Sequence, residues 1–93
     1  MRLRARVDTN QKEIVTELRK RGFEVIHLHK EGKGVPDLLV SSSGEMWLVE
    51  VKSLKGKYTM DQLQFFQKWK GKPILTIRSI EDIERLILKS VPR

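Results

Sequence analysis

The sequence of 93 residues contains no cysteine. Disulfide bonds and zinc sites built from thiolates are therefore excluded, and a hydrophobic core has to hold the fold together. The sequence also lacks an apolar run long enough to cross a membrane, and it does not open with a secretory signal. From its length and these absences we expect one domain, spanning residues 1–93, in a cytoplasmic protein without a membrane partner.

Negative charge is in short supply. Lysine and arginine number 19 against 12 aspartate and glutamate residues, which gives a net charge of +7. The basic residues gather in four clusters, at positions 2–6, 19–21, 52–57 and 68–72. This surplus favours a polyanionic partner, and nucleic acid foremost. A basic surface that serves only solubility is the alternative explanation for any single cluster.

The spacing of apolar residues and the turn residues between them predict the order of helices and strands. A helix capped by Asp8 or Thr9 runs to about Arg21 and ends at Gly22. The later elements are strands at residues 23–29, 37–41 and 46–52, a helix at 59–69, a strand at 74–77 and a helix from Ser79 to about residue 89. The order α-β-β-β-α-β-α predicts a small α/β domain with a mixed β-sheet flanked by helices.

Two of the predicted strands carry acidic residues where apolar residues are the rule. Asp37 opens one strand, and Glu50 lies near the end of the next, two residues before Lys52. Side chains two apart on a strand share a face, so Glu50 and Lys52 point the same way. An ordinary surface ion pair is the alternative explanation of the Glu-x-Lys pattern alone. Charges inside two apolar strands are more specific to a site, because burying them is costly unless a partner compensates them.

The turn between these strands decides whether the two acids meet. If Ser43-Gly44 is a two-residue turn, Asp37 lies opposite Glu50, whereas a three-residue turn shifts the pairing by one position. In the two-residue register the acids and Lys52 share one face. The opposite face then belongs to the core and carries Leu38, Val40, Trp47, Val49 and Val51.

Two neighbouring carboxylates repel each other, and a hard divalent cation relieves that repulsion. We expect Mg2+ or Mn2+ as the ion, with Asp37, Glu50 and the carbonyl of Val51 as its protein ligands. Such an ion activates a water molecule and stabilises charge on a phosphate. Lys52 is expected to orient that water or to stabilise the charge that develops in the transition state.

A Pro-Asp pair at residues 36–37, followed by Glu-Val-Lys at residues 50–52, resembles the catalytic motif of the PD-(D/E)xK nuclease superfamily. The short chain, the stretch at residues 34–38 and the later Tyr-Thr-Met-Asp-Gln at residues 58–62 are similar to the VRR-NUC family. The resemblance covers residues 11–77, which is most of the chain.

This resemblance implies a small restriction-endonuclease-like domain with metal-dependent endonuclease activity. Asp37, Glu50 and Lys52 occupy the positions that are catalytic in the family motif. Short stand-alone members occur in phages and bacteria and resemble Holliday junction resolvases. The resemblance therefore also implies a homodimer that acts on branched DNA in a bacterial or phage-infected cell.

Two glutamines fall on the apolar faces of the helices. The resemblance implies a site role for Gln11, at the place where many relatives carry a carboxylate, and a site role for Gln62. A neutral amide at Gln11 weakens any second metal site, so the number of metal ions stays open. Each glutamine also fits a capping box, one from Asp8 to Gln11 and one from Thr59 to Gln62. The two explanations are compatible, and both stay open.

The function favoured by these residues is a metal-dependent, structure-specific DNA endonuclease for branched DNA, foremost four-way junctions. DNA shape is expected to guide it, because nothing in the sequence resembles a recognition helix or a zinc finger. The candidate contacts to nucleic acid are Lys33, Lys55, Lys57 and Tyr58. A nucleic-acid-binding module without catalysis is one alternative. A nuclease that acts on DNA ends, flaps or linear duplex is the other.

Overall fold

The computed structural model describes residues 10–28 and 30–87 of the chain. Its elements are α1 (Gln11–Lys20), β1 (Glu24–His27), β2 (Leu38–Ser42), β3 (Glu45–Val51), α2 (Met60–Lys68), β4 (Leu75–Ile77) and α3 (Ile80–Asp82), which continues as a π-helical stretch, Ile83–Ile87. The predicted order of elements is confirmed. None of the described helices has the length and apolarity that a membrane crossing requires.

The element boundaries differ from the predicted ones by one or two residues, as helix and strand ends commonly do. The first helix was predicted to be capped by Asp8 or Thr9, but its N-cap is Asn10. Asp8, Thr9 and the predicted strand residue His29 lie outside the described residues, as do residues 88–89 of the predicted last helix.

A glycine ends α1, as its sequence predicts. Gly22 has a φ of 92°, and the N–H of Phe23 donates to the carbonyl of Leu18 over 3.1 Å. This is a Schellman motif, which satisfies a carbonyl that the helix end would otherwise leave unpaired. Leu18 and Phe23 are both buried, so the motif also turns the chain from the helix into the core.

The strands form one four-stranded sheet in the order β1-β2-β3-β4. The first two pairings are antiparallel, and β3 and β4 are parallel, joined by a crossover that contains α2. The hydrophobic core lies between one face of this sheet, α1 and the C-terminal helical stretch. Its members are Ile14, Val15, Leu18, Phe23, Val25, Leu38, Val40, Trp47, Val49, Val51, Ile77, Ile83 and Ile87.

The turn between β2 and β3 contains only Ser43 and Gly44. Both residues have positive φ values, 56° and 80°, as a type I′ turn requires. The strand pairing, continued by one residue beyond its last pair, sets Asp37 opposite Glu50. The two-residue register and the buried core face that it predicts are thus confirmed.

Helix α2 lies over the opposite face of the sheet, where Gln62 reaches Glu50. Within the described part of the chain, no residue of α2 is fully buried. Its first turn rests instead against the loop before β2, because a Cβ atom on Gly34 would lie 2.2 Å from the backbone oxygen of Asp61. Only glycine permits this approach. Polar and backbone contacts at the N-terminal end therefore anchor α2.

Replacing Gly34 by alanine should destabilise the protein more than the same change at Gly32. Both glycines have positive φ values, 82° and 70°, so alanine costs about 1 kcal/mol at either position. The added Cβ meets no described atom within 4 Å at Gly32 but collides with Asp61 at Gly34. Overpacking of this kind adds about 1–3 kcal/mol. Urea unfolding measures the difference, and equal losses would show that α2 moves aside without cost.

Candidate functional site

Hydrogen bonds on both sides fix Asp37 at the start of β2. Its backbone carbonyl accepts a hydrogen bond from the N–H of Leu28 at 2.7 Å, and its carboxylate Oδ2 accepts one from the N–H of Val51 at 2.8 Å. The residue is half-buried. The carboxylate of Asp37 therefore lies beside the last residue of β3, next in sequence to Glu50.

Glu50 is a buried carboxylate, with 2% of the residue exposed. The Nε2 of Gln62 donates to Glu50 Oε2 over 2.7 Å, and the Nζ of Lys52 lies 3.6 Å from the same oxygen. The side chain of Lys52 is itself only 12% exposed. An ion pair so far removed from water is tolerated only where hydrogen bonds support it, as the amide of Gln62 does here.

The backbone of Val51 faces Asp37. The N–H and C=O of one strand residue point to the same side of the strand, so the carbonyl of Val51 points to the side on which its N–H meets Asp37. The next peptide points the other way, because the N–H of Lys52 donates to the carbonyl of Ile77 over 3.1 Å. Two carboxylates and one carbonyl thus lie together at one end of the sheet.

Gln62 serves both as a helix cap and as a neighbour of the buried acid. Its Oε1 accepts from the N–H of Thr59 at 2.8 Å, while the hydroxyl of Thr59 accepts from the N–H of Gln62 at 3.1 Å. This capping box orients the amide, so that its Nε2 is left to donate to Glu50. The predicted capping box is confirmed, and the same amide also contacts Glu50.

Gln11 is 2% exposed and is the first residue of α1. A capping box with Asp8 needs Gln11 at the third helical position, so that alternative is wrong. The Nε2 of Gln11 lies 3.4 Å from the Nδ1 of His27 at the end of β1. Its Oε1 is buried and has no hydrogen-bond partner among the described residues.

Asn10, which the sequence did not single out, ties the start of α1 to the same end of the sheet. Its Nδ2 donates to the carbonyl of Lys52 at 3.2 Å and to the carbonyl of Arg78 at 3.1 Å. With Gln11 held beside His27 of β1, the helix start spans the sheet end where β2 begins and β3 finishes. Gln11 therefore lies at the same end of the sheet as the acid pair.

The predicted nucleic-acid contacts differ in their surroundings. Lys33, Lys55 and Lys57 are exposed. Tyr58 is half-buried, and its hydroxyl forms a hydrogen bond with the hydroxyl of Thr76. Its ring also packs edge-on against Phe66, at 5.1 Å between centroids, and the Nζ of Lys52 lies 5.7 Å from it. The ring of Tyr58 thus lies beside Lys52, whereas the three predicted contact lysines are exposed to solvent.

Arg78 is a second residue that sequence reasoning missed. Its Nη1 donates to the carbonyls of Ser53, Leu54 and Gly56, at 2.8, 3.3 and 2.8 Å. The guanidinium therefore holds the loop that follows Lys52. No local signal identifies such a contact, because Arg78 lies 22 or more positions from each of these partners.

The donor set at this end of the sheet fits a hard divalent cation. Its members are the carboxylates of Asp37 and Glu50 and the carbonyl of Val51, all oxygen donors of the kind that Mg2+ and Mn2+ prefer. The buried Oε1 of Gln11 is a further oxygen that a ligand would satisfy. The described residues contain no group of three or more His, Cys, Asp or Glu side chains suited to a metal. A metal site here would therefore need the backbone oxygen of Val51 and the amide oxygen of Gln11 in addition to the two carboxylates.

Comparison with known proteins gives two matches. The sequence model of the archaeal Holliday junction resolvase (Hjc) family matches residues 3–90. A solved structure described as a VRR-NUC domain is 30% identical in sequence, with a TM-score of 0.68, and the match covers 90% of this chain and 100% of that one. No curated protein matches the chain. The predicted restriction-endonuclease-like fold and the predicted resemblance to VRR-NUC nucleases are confirmed.

Gln62→Ala should destabilise the protein more than Thr59→Ala. Each change removes one half of the capping box, which is worth about 1 kcal/mol. Only Gln62→Ala also removes a donor from the buried carboxylate of Glu50, which costs about 1–3 kcal/mol more. Urea unfolding of both variants measures the two effects. If the two losses are equal, the contact with Glu50 contributes nothing to stability.

Proposed function

Because the chain belongs to the archaeal Holliday junction resolvase (Hjc) family, we propose that it is a nuclease that hydrolyses phosphodiester bonds in DNA. Residues 1–93 would form a single nuclease domain, of which the family match covers nearly all. One observation supports the assignment of the site above all. The buried Glu50, with Lys52 3.6 Å away, lies opposite Asp37 at the end of the strand pair that carries the apolar core face.

A purely structural role does not account for this arrangement. Two well-packed apolar side chains would stabilise the strand ends at least as well as a buried ion pair does. The fold nevertheless holds Glu50, Lys52 and Gln62 in contact and sets the carboxylate of Asp37 beside them. Strongly interacting charges at the end of a sheet are typical of catalytic sites.

Asp37, Glu50 and the carbonyl of Val51 would hold a divalent cation, Mg2+ or Mn2+, in this proposal. Such an ion, when bound, would lower the pKa of a water molecule and, as a Lewis acid, polarise an oxygen of the phosphate. The role of Asp37 and Glu50 is to provide its negative ligands, and the hydrogen bond from Val51 keeps Asp37 in place. The amide oxygen of Gln11 would add a neutral ligand or hold a water molecule.

Lys52 and Gln62 both contact the same oxygen of Glu50, and each has its own role in this proposal. The ammonium of Lys52 would stabilise the negative charge that grows on the phosphate, a contribution worth roughly a hundredfold in rate. The amide of Gln62 keeps one oxygen of Glu50 occupied, so that the carboxylate presents a fixed face. Tyr58 limits the space in which Lys52 moves.

The surplus of positive charge supplies the affinity for DNA. Lys33, in the loop before β2, and Lys55 and Lys57, in the loop after β3, are exposed on the two segments that border the acid pair. Phosphates of one strand would bind to these lysines, with the displaced counterions driving association. Tyr58 was predicted as a further DNA contact. In this proposal its half-buried ring shapes the site, because its hydroxyl is hydrogen-bonded to Thr76.

A branched DNA, and a four-way junction foremost, is the proposed substrate, cut by a homodimer. One chain carries one site, whereas a junction needs two cuts related by an approximate twofold axis, which a symmetric dimer provides. Helix α2 offers a surface for the second copy. Met60, Leu63 and Trp69 are 68%, 47% and 43% exposed, and the ring of Phe65 stacks on Trp69.

Asp37→Asn and Glu50→Gln should each abolish cleavage of DNA in Mg2+ while DNA binding is retained or tightened. Each change removes a negative ligand at nearly constant size, so the fold and the basic loops stay intact. Single-turnover cleavage and binding titrations measure the two properties, and EDTA should stop the unchanged protein. Glu24→Gln, at an exposed position of β1, is the matched control. Cleavage by either site variant at the rate of this control would refute the site.

A panel of four-way junction, flap, fork, free end and linear duplex should show fastest cleavage of the junction, in paired symmetric nicks.

Sedimentation of the protein should show a dimer at micromolar concentration. Trp69→Ala should weaken this dimer because it removes exposed apolar surface. A monomer that cuts linear duplex as fast as junctions contradicts the proposal. Faster cleavage of flaps or free ends would show instead that the protein is a nuclease specific for those structures.

A further inference from the structure

The loop at residues 53–57, which we call the clamp loop, connects Lys52 to Tyr58 and has a fixed backbone. Three of its carbonyls accept hydrogen bonds from Arg78, and the N–H of Gly56 donates to the carbonyl of Ser53 over 3.1 Å. Arg78 is held in turn by the ring of Tyr58, 5.9 Å from its guanidinium carbon. The clamp loop is thus preorganised from its inner side.

Leu54 occupies the outer side of the clamp loop. It is 76% exposed, the largest value among the exposed large hydrophobic residues of the described chain. A single exposed leucine is ordinary on a protein surface. Leu54 differs because the bond from Arg78 to its carbonyl opposes any movement of its backbone that would bury the side chain. The fold therefore presents an apolar side chain on a rigid support.

The charges around Leu54 favour a nucleic-acid partner on one side. Lys55 and Lys57 are exposed on the same loop, so a phosphate backbone is attracted to the side on which they lie. Leu54 also lines a groove that contains Glu13 and Glu81, which repel phosphates, and Arg78, whose guanidinium is engaged by carbonyls of the clamp loop. A DNA strand bound to the lysines would therefore pass beside Leu54 on its way to Lys52.

We propose that Leu54 is an apolar wedge that inserts at the base step beside the branch point of branched DNA and unstacks it. Apolar side chains inserted between bases are a known means of distorting DNA, and they bear the free-energy cost of breaking a stack. At a branch point the continuous stack of the duplex is interrupted, so unstacking the neighbouring step costs less there than in continuous duplex. The wedge therefore favours branched over linear DNA without reading sequence.

This inference rests on the proposed nuclease function and deepens it, since it names the element that selects the substrate. Rigidity is what makes the selection effective. On a mobile loop, a leucine could bury its side chain against the protein. The hydrogen bond from Arg78 to the carbonyl of Leu54 opposes this movement and keeps the side chain exposed. Preorganisation of this kind reduces the entropy lost on binding.

The test uses 2-aminopurine at the branch point of a four-way junction, since its fluorescence rises when it unstacks. The protein is added in EDTA, so that binding is measured without cleavage. We expect a rise with the unchanged protein and with Leu54→Met, which keeps a long apolar side chain. Leu54→Ala should lose the rise and should lower the preference for junction over linear duplex roughly tenfold. Ile26→Ala, at a position 51% exposed on the other edge of the sheet, should behave as the unchanged protein does.

A Leu54→Ala variant that keeps both the fluorescence change and the junction preference would overturn the wedge. Cleavage in Mg2+ separates this failure from failure of the proposed function. If the unchanged protein cuts junctions and Leu54→Ala cuts them with the same preference, only the wedge is wrong. If the unchanged protein binds no DNA in the assay, the wedge is overturned together with the function on which it rests.

Discussion

The burial of one carboxylate, that of Glu50, is the constraint on which the rest of this structure depends. A carboxylate with 2% exposure is destabilising unless other groups replace the water that it has lost. Here the replacements come from Gln62 at the start of α2 and from Lys52 just beyond β3. Two separate segments must therefore meet at one oxygen, and their meeting fixes how α2 lies relative to the sheet.

Short backbone features make that meeting possible. The type I′ turn at Ser43-Gly44 sets the register that brings Asp37 opposite Glu50, and a register shifted by one residue would send one acid into the core. The close approach of Gly34 to Asp61 holds the first turn of α2 near the start of β2. The turn thus determines where the carboxylates lie, and the glycine contact determines where Gln62 meets Glu50.

The parts of the fold that depend on neighbouring residues could be predicted from the sequence. Alternation of apolar residues identified the core face of β2 and β3, and the turn residues identified the hairpin. The capping box of Thr59 and Gln62 was predicted, because its partners lie three positions apart. The contacts of Asn10 and Arg78 could not be predicted, because their partners lie 22 to 68 positions away and involve backbone carbonyls that every residue type carries.

Helix α2 combines two properties that local pattern does not connect. Its N-terminal end brings Gln62 to Glu50, while Leu63 and Trp69 are 47% and 43% exposed and no residue of the helix is fully buried. Association that covers these residues stabilises whichever conformation of α2 the partner binds. If that conformation is the one with Gln62 on Glu50, assembly and completion of the site are linked by one helix. In such an assembly, covering the exposed residues of α2 would also favour the position of Gln62 that the single chain shows.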